Sequence, residues 1–264
     1  MELNSFQNES PLVNKERVRV EEIPCLVYRP KGIPGPYPTV INYHGWSSNK
    51  EFQHFKATIL AAYGYQVMVP DAMYHGERGT LNYTEEGKLE GYLHKVLLKN
   101  IEESDQLLDY ALRKLEADEK KVSIIGHSMG GFTAAGVFTR HSWLKTMVVI
   151  NGSCAWERML LNIKQKDDKE ETLPEEIQRL KTMDPEKNLE KFHKRSFLLM
   201  HGQEDDTVPM EPQQQFFENA RDYYGKDQKK IRFYKIPKIP HAITLHMFEQ
   251  VINWLGKKDG HTAD

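Results

Sequence analysis

The residues best suited to covalent chemistry lie in the run GHSMGG, where Ser128 stands between Gly126 and Gly130. A short β-branched run, Val122–Ile125, precedes this motif, and a segment rich in small residues, Met129–Thr139, follows it. A serine in a sharp strand-to-helix turn needs neighbours without side chains, because the two backbones come close together there. Such a turn exposes the hydroxyl and directs the first N–H groups of the helix at the group under attack. The run therefore predicts a nucleophilic serine.

Gly-x-Ser-x-Gly by itself is also typical of ordinary turns, since Gly and Ser are common in them. The strand before it and the helix after it favour the nucleophile, because the motif requires that context. A serine hydroxyl is a weak nucleophile unless a base lies within hydrogen-bond reach and a carboxylate orients that base. The rest of the chain must supply both groups.

Two residues near the carboxyl ends of predicted strands are the best candidates for these roles. Asp205 comes just after the predicted strand Ser196–Met200, and His241 lies in a loop after the predicted strand Lys230–Ile236. Loops at strand ends are where catalytic groups are presented. We expect His241 to be the base and Asp205 the acid.

The strand predicted at Thr39–Tyr43 ends in HGWSS, which is suited to an oxyanion loop. A glycine at this position lets the backbone approach a substrate carbonyl and leaves an N–H free to point at it. We expect the backbone N–H groups of Trp46 and Met129 to form the oxyanion hole. For this segment alone the alternative is a plain turn with His44 bonded to the backbone, and its position upstream of the serine favours the oxyanion role.

A second loop, VPDAMYHGERG, contains the alternative base, His75. A histidine in a loop before the serine more often fixes that loop through backbone hydrogen bonds. In the same loop we expect Asp71 and Arg78 to pair and to shape the rim of the site.

Predicted strands and helices alternate along the chain, which implies right-handed crossovers and a mostly parallel sheet. We expect an α/β fold with about eight strands flanked by helices. The predicted strands are a hairpin at 17–28 and single strands at 39–43, 65–70, 122–125, 146–150, 196–200 and 230–236. The predicted helices are 50–63, 89–117 with either a kink or a division near residue 100, 129–141, 211–224 and 244–254.

Residues 153–194 interrupt this alternation with apolar residues at helical spacing and the charged run KQKDDKEE. We expect a helical insertion over the C-terminal edge of the sheet, where ligands bind in open α/β folds. Trp156 and Met159 are candidate substrate-pocket residues, although such a stripe is also typical of ordinary packing. A charged helical segment over an apolar site also suggests a lid that opens and closes.

Composition predicts one large domain at 17–256, with a polar lead-in at 1–16 and a polar tail at 257–264 in a chain of 264 residues. Lys plus Arg number 36 against 38 Asp plus Glu, a net charge of −2, so no nucleic-acid footprint is indicated. No stretch approaches the ~20 apolar residues of a membrane helix, and no leader pattern is present. We expect a cytoplasmic protein without a membrane partner; the oligomeric state stays open.

The chain has two cysteines, Cys25 and Cys154, which are too few and too far apart for a disulfide framework or a metal site. We expect both to be packed thiols. His241 and His246 are five apart, which differs from the i, i+4 spacing of a zinc helix, and no H-E-x-x-H occurs. We therefore predict neither a metal nor a cofactor.

Jointly, these motifs resemble the α/β-hydrolase superfamily over nearly the whole chain. GHSMGG is similar to its nucleophile elbow, HGW to its oxyanion loop and HGQEDDTVP to its H-G-x-x-D-x-x-V-P acid loop, in the chain order serine, acid, histidine. In this register the acid is Asp205, four residues after His201, and Asp206 is its competitor. PHAIT resembles the family's G-H-x-x-T, but Pro240 stands where glycine is usual, which leaves the loop around His241 least determined.

More narrowly, YHGWSSNKEF, VPDAMYHGERG and HGQEDDTVP look like the prolyl-oligopeptidase and dienelactone-hydrolase-like branch, which includes small bacterial carboxylesterases. The resemblance implies hydrolysis of carboxylic esters with small or medium acyl chains. In that reaction Ser128 attacks the carbonyl, His241 moves the proton and Asp205 orients the imidazole. The Trp46 and Met129 N–H groups would stabilise the oxyanion.

Two alternatives remain for the function. An oligopeptidase or acyl-peptide hydrolase belongs to the same branch, but those proteins carry a large accessory domain, and no repeated β-blade pattern precedes this one. A ligand-binding protein without catalysis can also share the fold. The presence of all three triad residues argues against that second alternative.

Overall fold

The structure is a computed structural model, and it describes residues 10–159 and 175–259. Eight strands form one sheet. They are β1 Val13–Val20, β2 Ile23–Pro30, β3 Tyr37–Tyr43, β4 Gln66–Pro70, β5 Ala117–His127, β6 Thr146–Ile150, β7 Ser196–Gly202 and β8 Ile231–Ile236. The principal helices are α1 His54–Ala62, α2 Lys88–Lys114, α3 Met129–Arg140, α4 Glu175–Thr182, α5 Met210–Tyr224 and α6 Leu245–Asp259.

The strand order in the sheet is β1-β2-β4-β3-β5-β6-β7-β8. Strand β2 runs antiparallel to β1 and to β4, whereas every neighbouring pair from β4 to β8 is parallel. Parallel neighbours require crossover connections, and here helices supply them on both faces. The predicted α/β fold with a mostly parallel sheet of about eight strands is confirmed.

Two apolar layers cover the sheet because successive strand residues point to opposite faces. Ile124 of β5 lies in the layer that holds α2 and α3, and its neighbour Ile125 lies in the layer that holds α1 and α6. Both side chains are buried. The C-terminal edge of the parallel strands therefore has helices on each side of it.

Several element boundaries differ from the sequence expectation, among them the start of β5, which lies at Ala117 instead of Val122. Strand β1 begins at Val13, inside the expected polar lead-in, and α6 continues to Asp259, inside the expected polar tail. Helix α2 is continuous through the position where we expected a kink or a division. Asn100 lies on its buried face and donates to the Thr133 hydroxyl of α3 at 3.2 Å, so this polar residue joins two helices without breaking one.

The insertion between β6 and β7 is helical where the structure describes it. Residues 156–159 are helical, α4 follows, and a 3-10 turn spans Leu189–Phe192. The charged run at 164–171 lies outside the described residues. Within the described ranges, no helix combines the length and the apolar composition that crossing a membrane requires.

Candidate active site

Ser128 lies in the turn from β5 to α3, with φ 55° and ψ −125°. A positive φ is strained for a residue with a side chain and persists only when the surroundings enforce it. Here the Ser128 N–H donates to the carbonyl of Ile150 at 2.9 Å, and its own carbonyl accepts from the N–H of Gly131 at 2.8 Å. The backbone on both sides of the serine is thus held in place, and the hydroxyl stands at the C-terminal edge of the sheet.

Two glycines of the motif are required by close backbone contacts. A Cβ added to Gly126 would lie 1.8 Å from the carbonyl oxygen of Gly130. A Cβ added to Gly130 would lie 2.1 Å from the carbonyl oxygen of Tyr43 in β3. The first contact is between the strand and the helix that flank the serine, as the motif predicts.

Gly126→Ala is expected to lower the free energy of unfolding by about 3 kcal/mol or more, because a methyl group cannot fit against a backbone oxygen that has no room to move. Gly91→Ala is the matched control. Gly91 lies in the first turns of α2, is exposed and has no atom within 4 Å of an added Cβ. Alanine there should stabilise the protein by roughly 0.5–1 kcal/mol. Urea denaturation measures both, and equal stability of the two variants would contradict the steric account.

A chain of hydrogen bonds joins the three residues proposed from the sequence. His241 Nε2 lies 2.8 Å from Ser128 Oγ, and His241 Nδ1 lies 2.7 Å from Asp205 Oδ2. The Asp205 side chain is fully buried, and its other oxygen accepts from the N–H groups of Thr207 and Val208 at 3.0 and 2.9 Å. With its Nδ1 proton donated to Asp205, the imidazole presents Nε2 as an acceptor for the serine proton.

The two alternatives from the sequence lie elsewhere. Asp206 is exposed, and its carboxylate accepts from the Thr207 hydroxyl at 3.4 Å. His75 is buried, its Nδ1 lies 2.8 Å from the carbonyl oxygen of Met73, and its ring packs edge-on against Trp46. His75 therefore fixes the loop and supports the tryptophan next to the serine.

The loop after β3 is held by His44. Its Nε2 accepts from the N–H of Ala72 at 3.1 Å, so Nδ1 carries the proton and donates to the carbonyl of Gly45 at 2.8 Å. In a trans peptide the N–H points opposite to the C=O, so the N–H of Trp46 points away from His44. The loop also lies against the serine, since a Cβ added to Gly45 would be 3.4 Å from the Ser128 Cβ. Met129, the other expected donor, is the first residue of α3 and has no helical partner for its N–H.

Two histidines around the serine, the buried His44 and the half-buried His127, are neutral at neutral pH. Burial lowers the pKa of His44 to about 4. Burial also lowers the pKa of His127 to about 3, and the nearby charges of His241 and Lys56 add to this effect. The His127 ring lies beside the His241 ring, with centroids 5.0 Å apart and the ring planes tilted by 36°. Neither ring accepts a proton in the native state until the solution is strongly acidic.

These depressed pKa values predict a loss of stability in mild acid. Below pH ~6.5 the unfolded chain binds protons at His44 and His127 and the native state does not, so the free energy of unfolding falls as the pH falls. With about two extra protons on the unfolded chain, the slope should be at least about 2 kcal/mol per pH unit near pH 5. His44→Gln should give a shallower slope in urea titrations than the wild type. His246→Gln, at a side chain 66% exposed, should keep the wild-type slope, and an unchanged slope in His44→Gln would contradict the assignment.

The expected pair of Asp71 with Arg78 is wrong. Asp71 is fully buried and pairs with Lys50, whose Nζ lies 2.6 Å from Oδ2 and whose backbone N–H donates to Oδ1 at 2.9 Å. Arg78 instead donates to both carboxylate oxygens of Glu103 at 2.7 Å each, and to the main-chain carbonyl of Asp71 at 3.2 Å. Because Lys50, in the segment after β3, pairs with the Asp71 carboxylate, the Arg78 guanidinium pairs instead with Glu103 of α2.

An apolar cavity of about 430 Å³ opens at Ser128. Trp156 and Met159 both line it, as does Leu180 of α4, so the insertion supplies part of the wall. The Trp156 indole donates to the carbonyl of Ser153 at 3.0 Å, which fixes the ring. The other lining residues include Leu89, Leu93 and Leu97 of α2, Phe132 of α3, and Val208 and Pro209 of the acid loop.

Asn151 is a site residue that the sequence analysis missed. It is fully buried at the end of β6, and its amide donates to the carbonyl of Ala242 at 2.9 Å while its oxygen accepts from the N–H of Gly202 at 3.0 Å. One side chain thus connects β6, the end of β7 and the histidine loop. The available signal was an asparagine directly after a buried strand, at a position with φ 46° that asparagine tolerates well.

Both cysteines are buried, and burial raises the pKa of each thiol well above its usual range. This agrees with the expectation of packed thiols. Within residues 10–159 and 175–259, no three His, Cys, Asp or Glu side chains are grouped so that they could hold a metal ion.

The chain is similar in sequence to one protein-family model and to two bacterial proteins. The model of the prolyl oligopeptidase family matches residues 50–261. "Putative esterase YitV" of Bacillus subtilis (strain 168) is 28% identical over 254 residues, which are 90% of this chain and 99% of that protein. "Esterase YjfP" of Escherichia coli (strain K12) is 26% identical over 221 residues, 80% of this chain and 88% of the other.

The solved structure of TT1662 from Thermus thermophilus has a TM-score of 0.75 at 20% identity, covering 93% of this chain and 98% of that one. At this identity the likeness shows the shared fold. The match to the family model begins at residue 50, just after the oxyanion loop, and continues through the last helix. It therefore includes the whole nucleophile elbow, the acid loop and the histidine loop. The chain belongs to the prolyl oligopeptidase family of α/β hydrolases.

Proposed function

We propose that this protein is a serine hydrolase that cleaves carboxylic esters of small or medium acyl chains through an acyl-enzyme. One observation carries the proposal: the hydrogen-bonded chain from buried Asp205 through His241 to Ser128, which ends at an apolar cavity. An ordinary surface turn does not require its serine to be hydrogen-bonded to a histidine that is itself bonded to a buried carboxylate. The esterase names of YitV and YjfP support the same conclusion.

The reaction begins when Ser128 Oγ attacks the ester carbonyl and His241 Nε2 takes up the serine proton. The new C–O bond makes a tetrahedral oxyanion, which the N–H groups of Trp46 and Met129 stabilise. His241 then gives the proton to the alcohol oxygen as the original C–O bond breaks, and the alcohol leaves. Asp205 holds the imidazole in the required tautomer and stabilises its cationic form.

Water completes the cycle. His241 takes a proton from the water as its oxygen attacks the acyl carbonyl, and then returns the proton to Ser128 Oγ as the acid is released. Trp156 and Met159, in the cavity wall, contact an apolar part of the substrate. The chemistry requires neither a metal nor a cofactor.

Peptide hydrolysis is the second candidate, because the chain belongs to a family named for an oligopeptidase. The same Ser128–His241–Asp205 geometry would serve an amide. An ester is favoured because YitV and YjfP, which align along 90% and 80% of this chain, carry esterase names. A ligand-binding protein without catalysis stays a third possibility that activity measurements exclude directly.

The test is a panel of p-nitrophenyl esters from acetate to decanoate beside peptide p-nitroanilides. We expect hydrolysis of the esters, with the highest kcat/KM at a small or medium chain that fills the apolar cavity. Hydrolysis of anilides without esters would favour the peptidase. Binding of acyl compounds without turnover of either class would favour the binding protein.

A further inference from the structure

A second pocket, of about 320 Å³, opens at Ser128 and His241 on the side opposite to the apolar cavity. Both residues line both spaces, so the two meet at the reacting serine. The apolar cavity lies on the α2 and α3 side of the sheet, whereas the second pocket lies beside α1. Its other lining residues include Phe52, Gln53, Lys56, His127 and Ile243. The two spaces together therefore offer room for both halves of an ester whose carbonyl lies at Ser128.

The second pocket differs from the first in its charge. Its titratable lining residues are Lys56, His127 and His241, and no carboxylate is among the residues that line it. Gln53 is buried, and its amide donates to the Ser48 hydroxyl at 2.9 Å, which gives the pocket a further polar wall. A pocket lined by basic and neutral polar groups is suited to an anion.

Lys56 has no counter-ion in the described part of the chain: its amine makes no ion pair and no hydrogen bond there. The carboxylates of the neighbouring segments are taken up by other cations. Glu51 pairs with Lys15 and Arg17, and Asp71 pairs with Lys50. The positive charge of Lys56 is thus left unneutralised beside the pocket.

The amine is also held partly within the protein. Burial lowers the pKa of Lys56 to about 8, which is a cost that a lysine extended into water would avoid. Its charge in turn lowers the pKa of His127, which lines the same pocket. At neutral pH most Lys56 amines still carry the proton. A partly desolvated cation in the wall of an open pocket interacts strongly with an anion that enters the pocket.

We propose that Lys56 forms an anion-binding subsite, and that the ester on which this enzyme acts carries a carboxylate on the half that lies in the second pocket. This inference rests on the proposed ester hydrolysis. It names a substrate class, an ester with one apolar half and one anionic half. The two halves extend from Ser128 on opposite faces of the sheet.

The test uses two pairs of esters that differ only in charge. In the first pair the anion is on the alcohol side, as 4-acetoxybenzoate against 4-acetoxybenzamide. In the second it is on the acyl side, as mono-4-nitrophenyl adipate against the 4-nitrophenyl ester of adipic monoamide. The measured quantity is the ratio of kcat/KM for the anionic ester to that for the neutral ester. We expect the wild type to prefer the anion in one pair, which also reports which half lies beside Lys56.

Lys56→Met should lower that ratio by about 10- to 100-fold, the range expected for loss of one hydrogen bond to a charged group. Lys56→Arg should retain the preference, because it keeps the charge. Lys31→Met is the matched control at an exposed lysine outside both spaces, and its ratio should equal that of the wild type. A ratio unaffected by Lys56→Met in both pairs overturns the subsite and leaves the ester hydrolase intact.

A second measurement is independent of turnover. In Ser128→Ala protein, acetylation of the Lys56 amine by acetic anhydride is followed by mass spectrometry with and without each ester. The anionic member of one pair should slow labelling of Lys56 and leave labelling of Lys31 unchanged, whereas its neutral partner should not. Equal labelling of Lys56 with all four compounds overturns the subsite, whether or not the wild type hydrolyses esters. A wild type that hydrolyses no ester would refute the proposed function, which is a separate result.

Discussion

Ser128→Ala is expected to lower kcat for ester hydrolysis by about 10⁴- to 10⁶-fold, the range found when a triad serine is removed. Without Oγ no acyl-enzyme forms, and His241 loses the group whose proton it accepts at 2.8 Å. The oxyanion donors and the apolar cavity stay in place, so some acceleration over the reaction in water should persist. The measurement is kcat and KM on the best p-nitrophenyl ester, with folding checked by circular dichroism.

Ser123→Ala is the matched control for this substitution. Ser123 lies in β5, the strand that leads to Ser128. It is fully buried, and its hydroxyl makes no hydrogen bond in the described structure. Its removal should therefore change kcat less than twofold, an allowance on the order of the ±0.5 kcal/mol typical of substitutions away from special features. If Ser128→Ala kept more than a few per cent of the activity, the serine would not be the nucleophile.

The second large effect is expected at the acid. Asp205→Asn should lower kcat by about 10⁴-fold with little change in KM. The asparagine amide would present N–H to His241 Nδ1 and favour the tautomer with the proton on Nε2, which cannot accept the serine proton. The fold should persist, because the side chains have the same shape and the remaining oxygen can accept from Thr207 and Val208.

Asp206→Asn separates the two adjacent carboxylates. The Asp206 side chain is exposed and its one described hydrogen bond is long, so the variant should keep wild-type kcat and stability. The pair is informative because it changes the same chemical group at neighbouring positions. A large loss in Asp206→Asn with a small loss in Asp205→Asn would reverse the assignment of the acid.

Several features of this protein follow from local sequence alone. The turn at Ser128 is predictable because Gly126 lies too close to the Gly130 carbonyl, and Gly130 too close to the Tyr43 carbonyl, for a side chain at either position. Glycine at both positions therefore indicates a sharp turn. The sheet is predictable because β-branched runs alternate with helical periodicity, which permits few topologies. The sequence order of serine, acid and histidine then places all three residues at one edge of the sheet.

Other features needed the tertiary structure. Asp205 and Asp206 are equivalent by residue type, and only the backbone path of the acid loop turns the first toward His241 and the second toward solvent. Pro240 left the histidine loop undetermined, and the structure shows what holds it, the amide of Asn151 on Ala242. That hydrogen bond joins positions 91 residues apart, which no local pattern reports.

The pairing of charges was likewise beyond the sequence. Asp71 and Arg78 are close in the chain, yet Asp71 forms an ion pair with Lys50 and Arg78 forms one with Glu103. The packing of strands and helices from distant segments places these partners within ion-pair distance. In the sequence, Lys56 is one ordinary lysine of an amphipathic helix. Only the packing shows that it lines a pocket beside the serine and has no counter-ion among the residues that the structure describes. By itself the sequence determined the backbone turns, the order of the elements and the chemical groups available, since these depend on neighbours along the chain. The tertiary structure decided which of those groups meet, because contacts such as the one between Ser128 and His241, 113 residues apart, depend on how the whole sheet and its helices pack.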